Sequence, residues 1–337
     1  MGKDLMKYEK KSIWKKIKEN IKKFLNINKK EEIIEINDLE IKEEKVINKN
    51  IIIENAKNAY IDNYLKADEV TNEKVVKIIK ERIEENKENI KKLIEINDEK
   101  ITYEKIEKII QDGAKEIEEY KKSGDMRKID EKYIFSTYKV PVGIIGIETE
   151  SKEEIIKNII KAIVTKNAII IINEKNEEYS IENLILLIVQ EVLNKFEIDK
   201  NIIQIINKKE IKKQECDVYI ENGGNLYKKE KIHKIYIYLE DEYFKNVVEK
   251  ELVELKKEGR EVEILQGNID IVIDKINEKQ AIGSTIYTKN RRLGYKFVNE
   301  VNSENVFMNA TMKNIKRPIE IEDIYYMNKS IICEYKK

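Results

Sequence analysis

Histidine occurs once in this chain of 337 residues (His233), tryptophan once (Trp14), and cysteine (Cys216, Cys333) and proline only twice each. Each scarcity removes a class of function. A Ser-His-Asp or Cys-His engine would have to be built on His233. Its neighbours Lys231 and Lys234 supply neither a nucleophile nor an orienting carboxylate, so it reads as a surface or strand-end residue. The cysteines stand far apart, without the close spacing of a metal site or a disulfide framework. Free thiols in a long chain point to a reducing, cytoplasmic compartment. No apolar run approaches the roughly 18 residues that a membrane span requires. Lys+Arg and Asp+Glu are equal at 65 each, so no net charge draws the chain to nucleic acid.

What is present is isoleucine between charges: 41% of residues are hydrophobic and 39% charged. Periodic Ile runs supply a core that a disordered chain lacks, and the length suffices for two domains. Residues 1–50 form a charged extension. Lys3 to Lys30 is mostly basic, with Ile13, Ile17, Ile21 and Phe24 at helical spacing beside Trp14 and Leu25, and Glu31 to Glu44 is mostly acidic. Such a helix docks to an anionic membrane, a shell or a partner, or folds against its acidic neighbour or the main domain.

From Ile51 to Tyr120 apolar residues recur every three or four positions, predicting helices. Strands then alternate with helices. Val142–Ile147, Ala168–Ile172, Ile202–Ile206 and Val218–Ile220 read as strands, separated by helices over Glu153–Val164 and Tyr179–Phe196. Fully apolar strands in this rhythm indicate a parallel sheet covered on both faces. Further on, Lys234–Leu239, Val262–Leu265, Ile269–Ile273, Ser284–Thr288, Asn305–Met308 and Lys329–Tyr335 read as strands. Tyr243–Lys257 and Arg291–Val301 read as helices. The last strand is short and apolar. Left at a sheet edge it invites pairing with a second chain, so a homodimer is expected, unless it folds back onto its own sheet.

Several segments resemble γ-glutamyl phosphate reductase, a branch of the aldehyde dehydrogenase superfamily. Lys139 to Gly146 (KVPVGIIG) is similar to that family's K-V-P-L-G-V-I-G, and Glu150-Ser151 keeps its E-S pair. Lys166-Asn167-Ala168 looks like its G-N-A, and Asp217 to Gly224 (DVYIENGG) like its D-L-I-I-P-R-G-G. Ile286 to Asn290 (IYTKN) and Phe297 to Thr311 (FVNEVNSENVFMNAT) are similar to two later motifs, and Arg317-Pro318 to Tyr335 resembles the closing segment. The matches keep the family's order from Ala56 to Tyr335. The resemblance implies an α/β fold with a Rossmann-type, NADP-binding parallel-sheet domain, a second α/β domain and strands that join subunits. The expected division is 1–50 extension, 51–233 helical lead-in and cofactor-domain-like region, 234–311 reduced catalytic-domain-like region and 312–337 C-terminal segment.

In that family a cysteine thiolate attacks an acyl phosphate, and NADPH reduces the resulting thioester. The nucleophile lies between the Gly-Gly turn and a strand of the second domain. Here Gly223-Gly224 leads directly to Lys234–Leu239, so the cysteine segment is missing. Cys216 and Cys333 read as small buried apolar residues. The cofactor motifs also depart. Lys152-Glu153-Glu154 stands where the family has R-P-N, Ile172-Asn173-Glu174 replaces R-G-G, and Glu221-Asn222 replaces P-R. Added carboxylates repel a pyrophosphate.

The expectation is therefore a non-catalytic scaffold or binding protein, a pseudoenzyme with no catalytic residue and no metal. Glu150, Ser151, Gly223 and Gly224 remain as a vestigial cofactor site, and NADP is implied by resemblance only. Partners are a second copy of the chain or a related reductase subunit. Two rivals stay open: an active NAD(P)-dependent oxidoreductase of the proline-biosynthesis type acting on an aldehyde or acyl phosphate, and a peripheral module docking through residues 1–30.

Overall fold

The structure, a computed structural model, describes residues 10–16, 49–66, 69–97, 100–121, 125–128, 133–207, 211–222, 224–228, 232–279, 281–312 and 324–334. The chain divides into two compact units, Met1–Glu119 with Gly143–Lys228, and Tyr120–Val142 with Lys229–Lys337. The division is not sequential. Residues 120–142, which the sequence groups with the first region, belong to the second unit, where Tyr133–Pro141 pairs with the C-terminal strand.

The first unit opens with helices α1 (Lys49–Lys66), α2 (Glu69–Glu85), α3 (Lys87–Ile96) and α4 (Tyr103–Lys121). The chain then supplies β1 (Asp125–Lys128) and β2 (Tyr133–Pro141) to the second unit, and returns as β3 (Ile144–Glu148). There follow α5 (Lys152–Thr165), β4 (Ala168–Ile172), α6 (Ile181–Lys195), β5 (Ile203–Ile206), β6 (Val218–Ile220) and β7 (Leu226–Lys228). The strand order is β5-β4-β3-β6-β7, parallel except for the antiparallel β7. All five residues of β4 are buried, as a central strand covered on both faces requires. Helix α1 packs on β3 and β4, while α2, α5 and α6 pack against one another.

The stretch read from sequence as one strand, Val142–Ile147, is interrupted. Gly143 adopts φ 126°, a conformation L side chains avoid, and the chain passes there from one sheet to the other. Gly146 has a different role. A Cβ at that position would lie 2.5 Å from the Tyr219 ring and 2.9 Å from Cys216 Sγ. The second glycine of VPVGIIG is thus explained by close packing between β3 and β6.

Trp14 meets Tyr179 edge-on, with ring centroids 5.9 Å apart, and Ile13 is buried beside it. Two apolar residues of the predicted amphipathic helix are therefore spent on the protein itself. Ile17, Ile21, Phe24 and Leu25 lie outside the described residues. Among the described residues no helix is long and apolar enough to cross a membrane.

The second unit adds β8 (Ile232–Leu239), α7 (Lys245–Lys257), β9 (Glu261–Leu265), α8 (Ile269–Lys279), β10 (Ala281–Tyr287), α9 (Arg291–Glu300), β11 (Asn305–Met308) and β12 (Tyr326–Glu334). Its sheet runs β1-β2-β12-β11-β10-β8-β9. Strands β8 to β12 are parallel, and β2 lies antiparallel to both β12 and β1. Alternate residues of β8 feed two cores. Tyr236 and Tyr238 pack with Val272, Ile273, Phe297 and Val298; Ile235, Ile237 and Leu239 pack with Val248 and Leu255.

Two sequence expectations are corrected here. Ile269–Ile273 is the start of α8, not a strand. Ile269, Val272, Ile273 and Ile276 share the buried face at helical spacing, Ile271 is 68% exposed, and the Asn268 side chain accepts the Asp270 N–H at 2.8 Å. The C-terminal strand is not at an edge either. β12 lies between β2 and β11, paired along Tyr326–Glu334 on one side and Ser330–Cys333 on the other. The unpaired-edge argument for a homodimer therefore does not apply to this strand.

Gly146→Ala is expected to cost about 2–3 kcal/mol, an overpacking penalty in a closed core, measured by urea unfolding. A loss below about 0.5 kcal/mol would mean that the ring and sulfur move aside freely. Deleting residues 329–337 removes most of an interior strand and is expected to abolish cooperative melting of the second unit. A truncated chain melting like the full-length one would contradict this topology.

Candidate functional site at the carboxyl end of the first sheet

In the first unit the chain runs β3, β4, β5 in one direction and then places β6 on the other side of β3. Open α/β sheets bind ligands outside the strand carboxyl ends at such a reversal. The structure brings Glu150 and Ser151, just after β3, and Gly224, in the turn after β6, to this end of the sheet. Gly223 lies outside the described residues.

Ser151 is the N-cap of α5. Its side chain accepts the Glu154 N–H at 3.4 Å, and its carbonyl accepts the Ile155 N–H at 2.9 Å. Thr149 Oγ1 accepts the Ser151 N–H at 3.1 Å and donates to the Glu154 carboxylate at 2.7 Å. Glu153 and Glu154 fill the first turn, where carboxylates complement the helix dipole. Glu153 pairs with Lys105 at 2.8 Å. The Ser151 and Glu154 N–H groups are thus engaged internally, and the first-turn carboxylates oppose the positive field that would attract a phosphate.

Glu148, the last residue of β3, accepts the Tyr219 hydroxyl at 2.6 Å and the Asn222 N–H at 3.2 Å. Burial, reinforced by the Glu148 hydrogen bond, raises the Tyr219 pKa far above the usual phenol range, so the hydroxyl remains a donor. Glu150 pairs with Lys175 at 2.5 Å. Lys152 pairs with the buried Glu182 at 3.3 Å, and Asn173 Nδ2 donates to Glu182 at 3.4 Å. Glu221 accepts from Lys213 and from Asn225, both at 3.4 Å. Gly224 (φ 91°) donates its N–H to the Glu221 carbonyl, and Glu221 N–H returns to Asn225. Its positive φ thus serves the β6–β7 hairpin. Glu148, Tyr219, Glu182 and Asn173 organise this end of the sheet, and the sequence reading had singled out none of them for that role. The only signal was their position within one residue of a strand terminus or in the first turn of a helix.

Cys216 is fully buried at the amino end of β6, packed with Ile144, Ala168 and Tyr219. Cys333 sits on β12 of the second unit, and burial pushes its thiol up to about 11, far from the thiolate form that reacts. His233 lies on β8.

The second sheet has its own reversal. From β8 the chain goes to β9 on one side, then crosses back to β10 on the other. A cavity of about 410 Å³ opens at the carboxyl end of β8, lined by Tyr238, Glu240, Glu242 and Gln266 among others. The segment Ile286 to Asn290 (IYTKN) lies beside it and makes structural contacts. Asn290 caps α9, accepting the Arg292 and Leu293 N–H groups. Asn309 clasps Thr288, accepting its N–H at 2.9 Å and donating to its carbonyl at 2.8 Å. Among the described residues no His, Cys, Asp and Glu cluster is suited to hold a metal ion.

Tyr219→Phe leaves the Glu148 carboxylate without its phenolic donor. The expected loss is about 2 kcal/mol, the scale of a hydrogen bond to a charged group, read from chemical unfolding. An unchanged stability would show that Glu148 is equally well solvated without the hydroxyl.

No family model matches the chain, and no curated protein matches it. Solved structures do. The chain is similar to γ-glutamyl phosphate reductase of Saccharomyces cerevisiae at 15% identity, over 84% of this chain and 97% of that one, with a TM-score of 0.44. The γ-glutamyl phosphate reductase of Thermotoga maritima is also 15% identical, over 84% and 98%, with a TM-score of 0.43. The glyceraldehyde-3-phosphate dehydrogenase GapN of Methanocaldococcus jannaschii, solved with NADP, is 14% identical over 84% and 93%, with a TM-score of 0.46.

Proposed function

We propose that this chain is a non-catalytic protein of aldehyde-dehydrogenase type, resembling γ-glutamyl phosphate reductase, that works by binding or assembly. One observation carries the reading: the carboxyl end of the first sheet is occupied by the chain's own carboxylates. A pyrophosphate needs free N–H donors and a positive field at the helix N-terminus. At α5 the Glu154 N–H is taken by Ser151, and Glu153 and Glu154 supply negative charge. At β6 the Asn222 N–H is taken by Glu148. A dinucleotide would have to break these bonds and sit among Glu148, Glu150, Glu153 and Glu154.

The buried setting of Cys216 and the raised thiol of Cys333 support the same reading, since covalent reduction needs an accessible thiolate. The role left is association, with a second copy or a related reductase subunit, in the reducing cytoplasm that two free cysteines suit.

Titration of the purified chain with NADPH and with NADH, followed by nicotinamide fluorescence, tests the proposal. No saturable binding is expected up to about 1 mM, and no NADPH oxidation with γ-glutamyl phosphate. A dissociation constant in the range of about 1–50 μM for either nucleotide would establish the active oxidoreductase instead.

A further inference from the structure

Lys329 is an unusual residue for the middle of a sheet. It lies on β12, 2% exposed, with its side-chain nitrogen inside the second unit. That nitrogen donates to the carbonyls of Val298 (2.7 Å), Val301 (2.5 Å) and Asn299 (3.4 Å), at the C-terminal turn of α9. A helix end leaves its last carbonyls without intrahelical partners, and here the Lys329 and Asn277 side chains take several of them. Asn277 of α8 takes the carbonyl of Glu300 at 2.9 Å, and the Val301 N–H takes that of Phe297 at 3.0 Å. The C-terminus of α9 is therefore fastened to β12 by one lysine and to α8 by one asparagine.

No carboxylate of the described residues forms an ion pair with Lys329. On α9 the charged groups are Arg291, Arg292, Lys296 and Glu300. Lys296 pairs with Asp270 of α8 and lies 3.9 Å from Glu300. Asp274, Lys275, Glu278 and Lys279 complete the charges of α8, and Lys275 pairs with Glu263 of β9. In the turn before β11, Glu304 gives its main-chain carbonyl to the Ser330 N–H at 2.7 Å. Strand β11 carries no titratable side chain. On β2, Tyr138 stands opposite Lys329 and is 42% exposed, and Lys139 follows it. On β12 itself, Cys333 keeps a neutral thiol, and Glu334 lies at the strand's end.

We infer that Lys329 makes the junction between β12 and α9 proton-sensitive: closed around a neutral amine, and opened when the amine takes up a proton. A neutral amine has two N–H bonds, matching the two short contacts to Val298 and Val301. The ammonium has three, and carries a full charge into a site where no described residue supplies a counter-ion. The partial negative charge of one helix terminus offsets only part of that desolvation. Burial accordingly pulls the folded-state pKa down to about 7. In an opened junction the amine meets water and regains its ordinary affinity for protons. Between about pH 7 and 10 the open state then binds more protons than the closed one, so opening becomes about tenfold more favourable per unit fall in pH, levelling off below 7.

Hydrogen exchange of the full chain tests this, with protection of segments 296–301 and 326–334 compared between about pH 6 and 9 after correction for intrinsic rates. In the wild type, protection there is expected to fall about tenfold from pH 9 to 8 and again from 8 to 7, then to level off. Lys329→Met keeps the chain length and removes the amine, and its profile is expected to be flat. Equal pH dependence in both chains overturns the inference. Should the variant fail to fold, lysine Cε resonances of the wild type decide. One signal titrating near neutrality supports the inference, and all signals titrating near the usual lysine value refute it.

Discussion

Tyr219 can lie across β3 because position 146 has no side chain. The ring occupies the space a Cβ would need, beside Cys216, and its hydroxyl reaches Glu148 at the carboxyl end of β3. Glu148 in turn holds the Asn222 N–H, closing the turn after β6 onto β3. The register Gly146 opposite Tyr219 sets this geometry. A slip of one residue would send the phenol to the other face of the sheet and leave Glu148 without its donor. The packing of the core and the chemistry of the strand ends are thus one arrangement, fixed by a glycine in one strand and a tyrosine in the next.

The sheet keeps the strand reversal at which α/β proteins bind nucleotides, while the residues around it form hydrogen bonds and ion pairs with one another. Ser151 and Thr149 cap a helix, Gly224 turns a hairpin, and Lys152 and Lys175 neutralise glutamates. Each is a polar group doing ordinary structural work where an enzyme of this architecture would hold a ligand. A motif match at such positions reports the turn or cap that the backbone needs, and chemistry has to be argued from what the side chains touch.

Much of the architecture was legible because burial on both faces writes itself into sequence. The all-apolar β4 and the alternation of strands and helices after Val140 required a parallel sheet. The errors have local causes. Gly143 was read through as part of a strand because apolar residues flank it, although its positive φ ends one sheet and begins another. The alternating Ile269–Ile273 has period two over five residues, too short to show the helical period that Ile276 completes. Strands β1 and β2 carry charges and tyrosines without an apolar run, so nothing marked them as the neighbours that make β12 an interior strand. At the candidate site, the positions Glu150, Ser151 and Gly224 were legible from resemblance. The bonds of Glu148 with Tyr219 and of Lys152 with Glu182 were not, because they join residues from different strands and helices.

The central claim is that key backbone donors at this end of the first sheet, those of Ser151, Glu154, Glu221, Asn222 and Gly224, are already engaged by the chain's own oxygens. Amide ¹H–¹⁵N spectra of the labelled chain during addition of NADPH observe those donors one by one. The account predicts that the amides of residues 149–155 and 221–225 keep their positions throughout. Saturable shifts confined to those two segments would contradict it and restore a working nucleotide site.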